Sequence, residues 1–232
     1  MSGGGSNGGR ALQDVRAPLI GLLSLAALAA CTGSIFRSSI VPPAVYELSA
    51  PAPSPAAGPA VAAAPAAAAN GPSVDLAVLK PRVHSGLDDD LVHVLYPDHR
   101  LDHLAAARWS GPLDEMLQDL ILEAFRSRSS ALGVHADGSV FGAGYWLEVD
   151  VDDFQAVYAA RDALPVIHVH AVVRLGASSD RRILGRFELD SRENAAANRV
   201  DAIVEAYNRA LDDVLTELVN RTLAAIAAKP EA

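Results

Sequence analysis

The sequence predicts an α/β domain of the α+β kind: a two-layer sandwich in which a mostly antiparallel sheet is covered by two helices. Alternating apolar and polar residues between positions 147 and 189 predict three successive strands. Two longer stretches, 113–125 and 198–228, place apolar residues at helical spacing instead. The element order strand, strand, strand, helix, three strands, helix gives each layer one apolar face to bury against the other.

The first three strands are short. Residues 42–49 contain a brief alternating stretch around Val45. Val74–Val83 and Leu91–Tyr96 are rich in β-branched residues and are separated by an acidic turn at 86–90, so each predicts one strand.

The first helix is predicted to begin at Ser110-Gly111-Pro112, with Ser110 or Gly111 as N-cap and Pro112 in the first turn. Residues 133–144 are then read as a turn-rich connection. The strands that follow, near 147–151, 167–175 and 183–189, predict an antiparallel meander with one face in water. The final helix, about 198–228, is expected to cover the dry face together with the first.

Charge and cysteine content exclude several classes of function. The 232 residues carry 19 basic and 28 acidic side chains, a formal charge of −9 with no basic block, so nucleic acid is not an expected partner. The one cysteine, Cys31, cannot form a disulfide within the chain or complete a four-cysteine metal site.

The surroundings of Cys31 predict an export signal. Residues 1–18 carry two arginines and one aspartate, and residues 19–30 contain no charge. Twelve residues span about 18 Å as a helix, too short for the roughly 30 Å hydrocarbon core. The segment ends Leu28-Ala29-Ala30-Cys31, which resembles the bacterial lipobox. An ordinary signal peptide or a buried cysteine are the alternatives.

A lipobox predicts that residues 1–30 are removed and that Cys31 carries a lipid. The small residues Ala29 and Ala30 suit the signal peptidase, and two or more acyl chains (palmitate among them) would anchor the protein firmly to a membrane. Thr32 follows the cysteine where an aspartate would favour inner-membrane retention, so we expect a periplasm-facing outer-membrane lipoprotein. Cleavage would change the net charge from −9 to −10.

Three regions follow the predicted cleavage site. Residues 31–43 form a lipidated tether and residues 44–228 form the domain. Residues 50–73 contain six prolines and no charge, which predicts an extended or disordered segment. We assign it as a loop within the domain, with a tether ahead of the domain as the alternative.

No residue pattern predicts catalysis, a cofactor or a metal site. His168 and His170 share one face of a predicted strand, and His99 and His103 would share a helical face, but neither pair brings a third ligand. Asp88-Asp89-Asp90 lacks the ligand spacing of a calcium loop. Asp152 and Asp153 should lie on opposite faces unless the strand bulges. The sequence contains no phosphate-loop, dinucleotide-binding or common hydrolase motif.

Several motifs together resemble the ABC-type transport auxiliary lipoprotein family. They are Tyr46-Glu47-Leu48 after the lipobox, the turn 95–101, and the helix entry Ala107-Arg108-Trp109-Ser110-Gly111-Pro112-Leu113. A Phe-containing strand at 182–189 and the C-terminal helix complete the resemblance, which covers about residues 44–228. Residues 87–90 and the Ala/Pro insertion depart from the family pattern, and both are predicted loops.

The resemblance implies a non-catalytic component of an MCE-type ABC system that moves lipids or other apolar solutes across the periplasm. Its partners would be an MCE-domain protein, with a permease and an ATPase as separate chains. A homo-oligomer is also compatible with the resemblance, although the residues give no signal for one. Arg108 and Trp109 are candidate interface residues, with a core position as the alternative for Trp109. A lipoprotein that itself binds a small apolar ligand, and a structural or cell-wall regulatory lipoprotein, remain alternatives.

Overall fold

A computed structural model describes residues 42–49, 74–129, 132–136 and 142–228. The predicted signal peptide, the lipobox with Cys31 and the Ala/Pro segment 50–73 lie outside the described residues. Within the described ranges, no helix combines the length and apolar character needed to cross a bilayer.

The described residues form a nine-stranded mixed sheet and two helices, which confirms the predicted α+β class. The strands are β1 (Ala44–Tyr46), β2 (Val74–Val78), β3 (Arg82–Val83), β4 (Leu91–Leu95), β5 (Leu101–Trp109), β6 (Leu132–Ala136), β7 (Tyr145–Val157), β8 (Val166–Ala177) and β9 (Ile183–Asn194). The helices are α1 (Leu113–Arg128) and α2 (Val200–Ala227).

Strand β7 organises the sheet. On one side it pairs with β8, which pairs with β9, and both pairings are antiparallel, so the predicted meander is confirmed. On its other side β7 pairs in parallel with three short strands in succession: β2 near Leu147, β3 near Asp150 and β4 near Ala156. Strand β6 adds in parallel to β2, and β5 joins β4 to β1.

Both helices pack on the same face of the sheet. The apolar side chains of β7 to β9, such as Val149, Val169 and Leu189, are buried against Leu117 of α1 and Leu215 of α2. One continuous core results. Acidic residues in the first turn of α1 and basic residues in its last turn match the helix dipole.

Three expectations about the strands are wrong in detail. The stretch 74–83 is two strands, because Pro81 cannot donate a ladder hydrogen bond and interrupts the pairing with β7. Residues 101–109 are strand β5, so His103 lies on a strand and His99 in the preceding turn, with φ of 61°. The connection predicted at 133–144 contains strand β6.

Helix α1 begins later than expected. Neither Ser110 nor Gly111 caps it; Pro112 occupies the N-cap position with an extended backbone and no capping side chain. The N–H group of Leu113, which has no acceptor within the helix, donates instead to the carbonyl oxygen of Asp89 (3.1 Å). A backbone contact from the β3–β4 loop therefore takes the place of a side-chain cap.

Candidate docking face

The face of the sheet opposite the helices carries mainly charged side chains, and in the described part of the chain no helix covers it. We call it the open face. It consists of outward side chains of β7, β8 and β9: Glu148, Asp150, Asp152, His168, His170, Arg174, Arg186, Glu188, Asp190 and Arg192.

Four of the charges on and beside the open face form a network that joins β3, β7 and β8. Arg82 contacts Glu148 (2.6 Å) and Asp150 (2.7 Å), and Arg174 contacts the same two carboxylates at 2.9 Å each. The hydrogen bond to Asp150 raises the pKa of Arg82. Because Asp150 accepts hydrogen bonds from both guanidinium groups and Glu148 lies at ion-pair distance from both, the network fixes charged side chains that would otherwise move freely in water.

A shallow, solvent-open concavity of ≈ 460 Å³ lies beside this network. Arg82, His84, Asp150, Val172 and Arg186 are among its lining residues. Arg186 is exposed and, among the described residues, forms no ion pair. Its cross-strand neighbour is Arg174, whose charge is already matched by acids. The concavity therefore presents the guanidinium group of Arg186 with no ion-pair partner among the described residues, and Asp152 also lines it.

A bulge in β7 changes where its two adjacent aspartates lie. The pairing of β7 with β8 shifts between Val151 and Asp153. Asp152 consequently approaches Nδ1 of His170 (3.4 Å), and Asp153 approaches Nδ1 of His168 (3.6 Å). Adjacent strand residues normally point to opposite faces of a sheet, but the bulge adds a residue to β7 here. Asp152 and Asp153 therefore both reach histidines of β8.

His168 lies between groups of opposite hydrogen-bonding character. Its Nε2 is 2.8 Å from Oδ2 of Asp190 and 3.0 Å from a guanidinium nitrogen of Arg192. This nitrogen can donate to Asp190 or accept from Arg192, but it cannot do both at once. The hydrogen bond with His168, followed by the nearby positive charges, lowers the pKa of Asp190.

Replacing Asp190 with asparagine tests this contact. Because the folded pKa of Asp190 is lowered, its stabilising contribution is present above its unfolded pKa of about 4 and is lost as the pH falls through the folded pKa. The side chain is half exposed, so we expect Asp190→Asn to reduce the free energy of unfolding by less than about 1 kcal/mol at pH 6.

Urea unfolding at pH 6 and pH 3 measures the difference between the wild type and Asp190→Asn. We expect the difference to shrink at pH 3, because the carboxylate of the unfolded wild-type chain is largely protonated below its pKa of about 4. Asp180→Asn in the exposed β8–β9 turn serves as the control. An unchanged difference at the two pH values would refute the assignment.

The histidines of the open face do not form a metal site in the described residues. No three His, Cys, Asp or Glu side chains in the described ranges converge with metal-binding geometry. The open face instead carries charged side chains, most of them in ion pairs, and one shallow concavity. Such a surface can recognise a protein partner by charge and shape.

The predicted interface residues Arg108 and Trp109 lie in different environments. Arg108 is half exposed and contacts both carboxylate oxygens of Asp90 (3.0 and 2.9 Å). Trp109 is only 2% exposed and packs edge-on against Tyr207 (5.1 Å between ring centroids) and Phe154 (6.1 Å). Arg108 is therefore available to a partner, whereas Trp109 belongs to the core.

The outer edge of β9 is partly closed by helix α2. Arg221 donates to the carbonyl oxygen of Glu188 (3.1 Å), and Arg209 donates to that of Asn194 (2.9 Å). These arginines occupy backbone acceptors that a further strand would need. The docking of a partner by strand addition is thus disfavoured at β9, and the open face is the better candidate surface.

Sequence reasoning missed one further feature of this face. Trp146 of β7 lies against Gly176 of β8, its cross-strand neighbour, so closely that a Cβ on Gly176 would come within 2.2 Å of the indole ring. Glycine is therefore required at 176 for the ring to lie on the sheet. A Trp–Gly pair 30 residues apart gives no local signal in the sequence.

Comparison with known proteins gives a family and a fold. A family model described as "ABC-type transport auxiliary lipoprotein component" matches residues 46–219. No curated protein matches the sequence.

Three crystal structures share the fold. A protein from Xanthomonas campestris is 25% identical, with a TM-score of 0.63 over 79% of this chain and 97% of that chain. A second structure, of an uncharacterized protein, is 13% identical, with a TM-score of 0.60 over 78% and 99% of the two chains. A hypothetical protein from Chlamydia trachomatis is 13% identical, with a TM-score of 0.50 over 67% and 98%.

Proposed function

This chain belongs to the ABC-type transport auxiliary lipoprotein component family, and on that premise we propose that it is a non-catalytic outer-membrane lipoprotein that docks an MCE-type ABC transporter. The transporter would move lipids or other apolar solutes across the periplasm. The permease and the ATPase would be separate chains, and an MCE-domain protein would be the direct partner. The observation that carries the proposal is the charged open face on a domain of this family.

The anchor is proposed at Cys31. Leu28, Ala29 and Ala30 supply the aliphatic and small residues that lipoprotein processing requires, and residues 1–30 would be removed. Residues 31–43 would then tether the domain, residues 44–228, to the periplasmic side of the outer membrane. Thr32 after the cysteine supports the outer membrane over the inner.

The open face suits a partner that binds and releases. Its charges are largely neutralised in pairs, so docking does not bury many isolated charges, which would be costly. Arg186 is the cation of the open face that an acidic patch on the partner would meet, and Arg108 on β5, half exposed beside Asp90, is a second exposed cation outside this face. Charge complementarity of this kind adds specificity and speeds association.

The alternative, that the domain itself carries a small apolar ligand, has less support. The apolar cavity between the sheet and both helices measures ≈ 20 Å³, room for about one water molecule. The larger concavity, ≈ 460 Å³, is open to solvent and lined mainly by polar and charged side chains. A lipid acyl chain needs an enclosed apolar space, and neither of these cavities offers one.

Affinity purification tests the proposed function. The protein is tagged at its C-terminus, produced with its anchor intact in its native host, and isolated from membranes in mild detergent. We expect an MCE-domain protein to copurify, with the permease and ATPase in lower amounts. Recovery of no MCE-domain protein from a strain that makes one would contradict the proposal.

A further inference from the structure

One end of the sheet gathers three connections, which we call the loop end: the β4–β5 turn (96–100), the β7–β8 turn (158–165) and the β9–α2 connection (195–199). Backbone hydrogen bonds tie them together, from Tyr158 to Leu95 (2.9 Å) and from Ala195 to Pro165 (3.0 Å). The rings of Tyr96 and Tyr158 stack at 5.4 Å, with the guanidinium group of Arg100 4.8 Å from the centre of the Tyr96 ring. The loop end is therefore an ordered surface.

The chain enters the domain from the side of the loop end. Strand β1 is parallel to β5, with Ala44 beside Ala107 and Tyr46 beside Trp109. Because β5 starts at Leu101 in the loop end, β1 runs away from that end, and the residue before Ala44 lies nearer to it. The pairing of β5 with β4 shifts register between Leu91 and His93, so Ala107 lies beside the start of β4, only about 10 Å of strand from the loop end.

The tether between the lipid and the domain is short. Only 12 residues, 32–43, separate Cys31 from Ala44. Fully extended, they span at most about 43 Å. Through the pairing of β1 with β5, of β5 with β4 and of β4 with β7, Ala44 lies level with the C-terminal half of β7. The shorter path for the tether therefore leads to the loop end.

The loop end also has the surface chemistry of a membrane contact. Leu101 is 40% exposed and Leu164 is 53% exposed, and Arg100, which precedes Leu101, has a half-exposed side chain. At the boundary between headgroups and acyl chains, an exposed leucine can enter the apolar region while a nearby arginine contacts lipid phosphates. The acidic and basic side chains of the loop end sum to a formal charge of +1, although the whole chain carries −9. They are Asp98 and Asp162 against Arg100, Arg161 and Arg199.

We propose that the loop end faces the lipid surface, with Leu101 and Leu164 at the headgroup boundary and the strands of β7 to β9 directed away from the membrane. This inference rests on lipid attachment at Cys31, as part of the proposed function. The open face then stands to the side of the membrane, where a periplasmic partner can reach it. The β8–β9 turn, with Ile183, lies at the membrane-distal end.

Two exposed apolar residues at opposite ends of the sheet give a matched pair for testing the orientation. Leu164 is 53% exposed at the loop end, and Ile183 is 50% exposed at the other. Each is replaced by cysteine in the lipidated protein and labelled with an environment-sensitive fluorophore. Because Cys31 is bonded to lipid, the new cysteine is the one free thiol.

The labelled proteins are reconstituted in vesicles of phosphatidylethanolamine and phosphatidylglycerol containing a lipid-borne quencher. We expect Leu164→Cys to be quenched at least about two-fold more strongly than Ile183→Cys. Equal quenching, or stronger quenching at 183, would overturn the orientation.

Flotation of the same vesicles separates this inference from the proposed function. Protein that floats while both labels are quenched equally leaves the lipoprotein assignment intact and refutes only the orientation. Protein that does not float lacks the anchor, and then the anchor and the orientation both fail. Copurification of the MCE-domain protein is scored independently of either label.

Discussion

Replacing Cys31 with alanine is expected to abolish fatty-acid incorporation completely and to leave residues 1–30 attached to the chain. The diacylglyceryl group would be bonded to the Sγ atom of Cys31, and the sequence contains no second cysteine that could take its place. Each buried methylene contributes about 0.8 kcal/mol, so the loss of two acyl chains removes well over 10 kcal/mol of membrane affinity.

Growth with a clickable fatty acid, followed by intact-mass measurement, checks this prediction. Ser34→Ala, three residues beyond the cysteine, is the matched control and should retain both the label and the processed N-terminus. A Cys31→Ala protein that still incorporated fatty acid would refute the anchor. So would a wild-type protein that incorporated none.

Trp109→Ala is expected to lower the free energy of unfolding by roughly 3–5 kcal/mol. The indole is 2% exposed and closes an aromatic cluster with Phe154 and Tyr207, whose own rings lie 4.9 Å apart. Truncation would leave a cavity where β5, β7 and α2 meet. Because the free energy of unfolding of a domain of this size is about 5–15 kcal/mol, this one substitution is expected to remove a large fraction of it.

Urea unfolding followed by circular dichroism measures the effect. The neighbouring Arg108→Ala removes a half-exposed ion pair with Asp90 and should change the unfolding free energy by less than about 1 kcal/mol. Similar losses for the two variants would show that Trp109 does not serve as a core residue. They would also reopen its assignment as an interface residue.

The elements that the sequence predicted well are those in which apolar and polar residues repeat with the period of a strand or a helix. Strands β7, β8 and β9 alternate over 12 or 13 residues, and α1 and α2 each carry a continuous apolar stripe. Local pattern was enough there, because each element buries one face against the same core. The open face follows from the same alternation.

The elements that the sequence missed depend on distant partners. Strand β5 contains Ala105-Ala106-Ala107, which favours a helix, and pairing with β4 and β1 overrides that preference. Strand β6 is short, contains Gly133, and is formed by pairing with β2, which lies more than 50 residues earlier. No local period marks either strand.

The details of the candidate site were unpredictable for the same reason. The bulge after Val151 is a register shift between two strands, and only it brings Asp152 and Asp153 to the two histidines. The network of Arg82 with Glu148 and Asp150 joins residues more than 60 positions apart. The predicted lipid attachment at Cys31 differs from these contacts, because it depends only on neighbouring residues in the sequence.

The most direct test of the docking account is site-specific photo-crosslinking in cells that produce the transport system. A photoreactive residue is placed at Arg186 on the open face or at Asp119, which is exposed on α1 on the opposite side of the domain. The account predicts a crosslink to the MCE-domain protein from position 186 and none from position 119. A crosslink from 119 alone, or none from 186 while the MCE-domain protein is present, would contradict it.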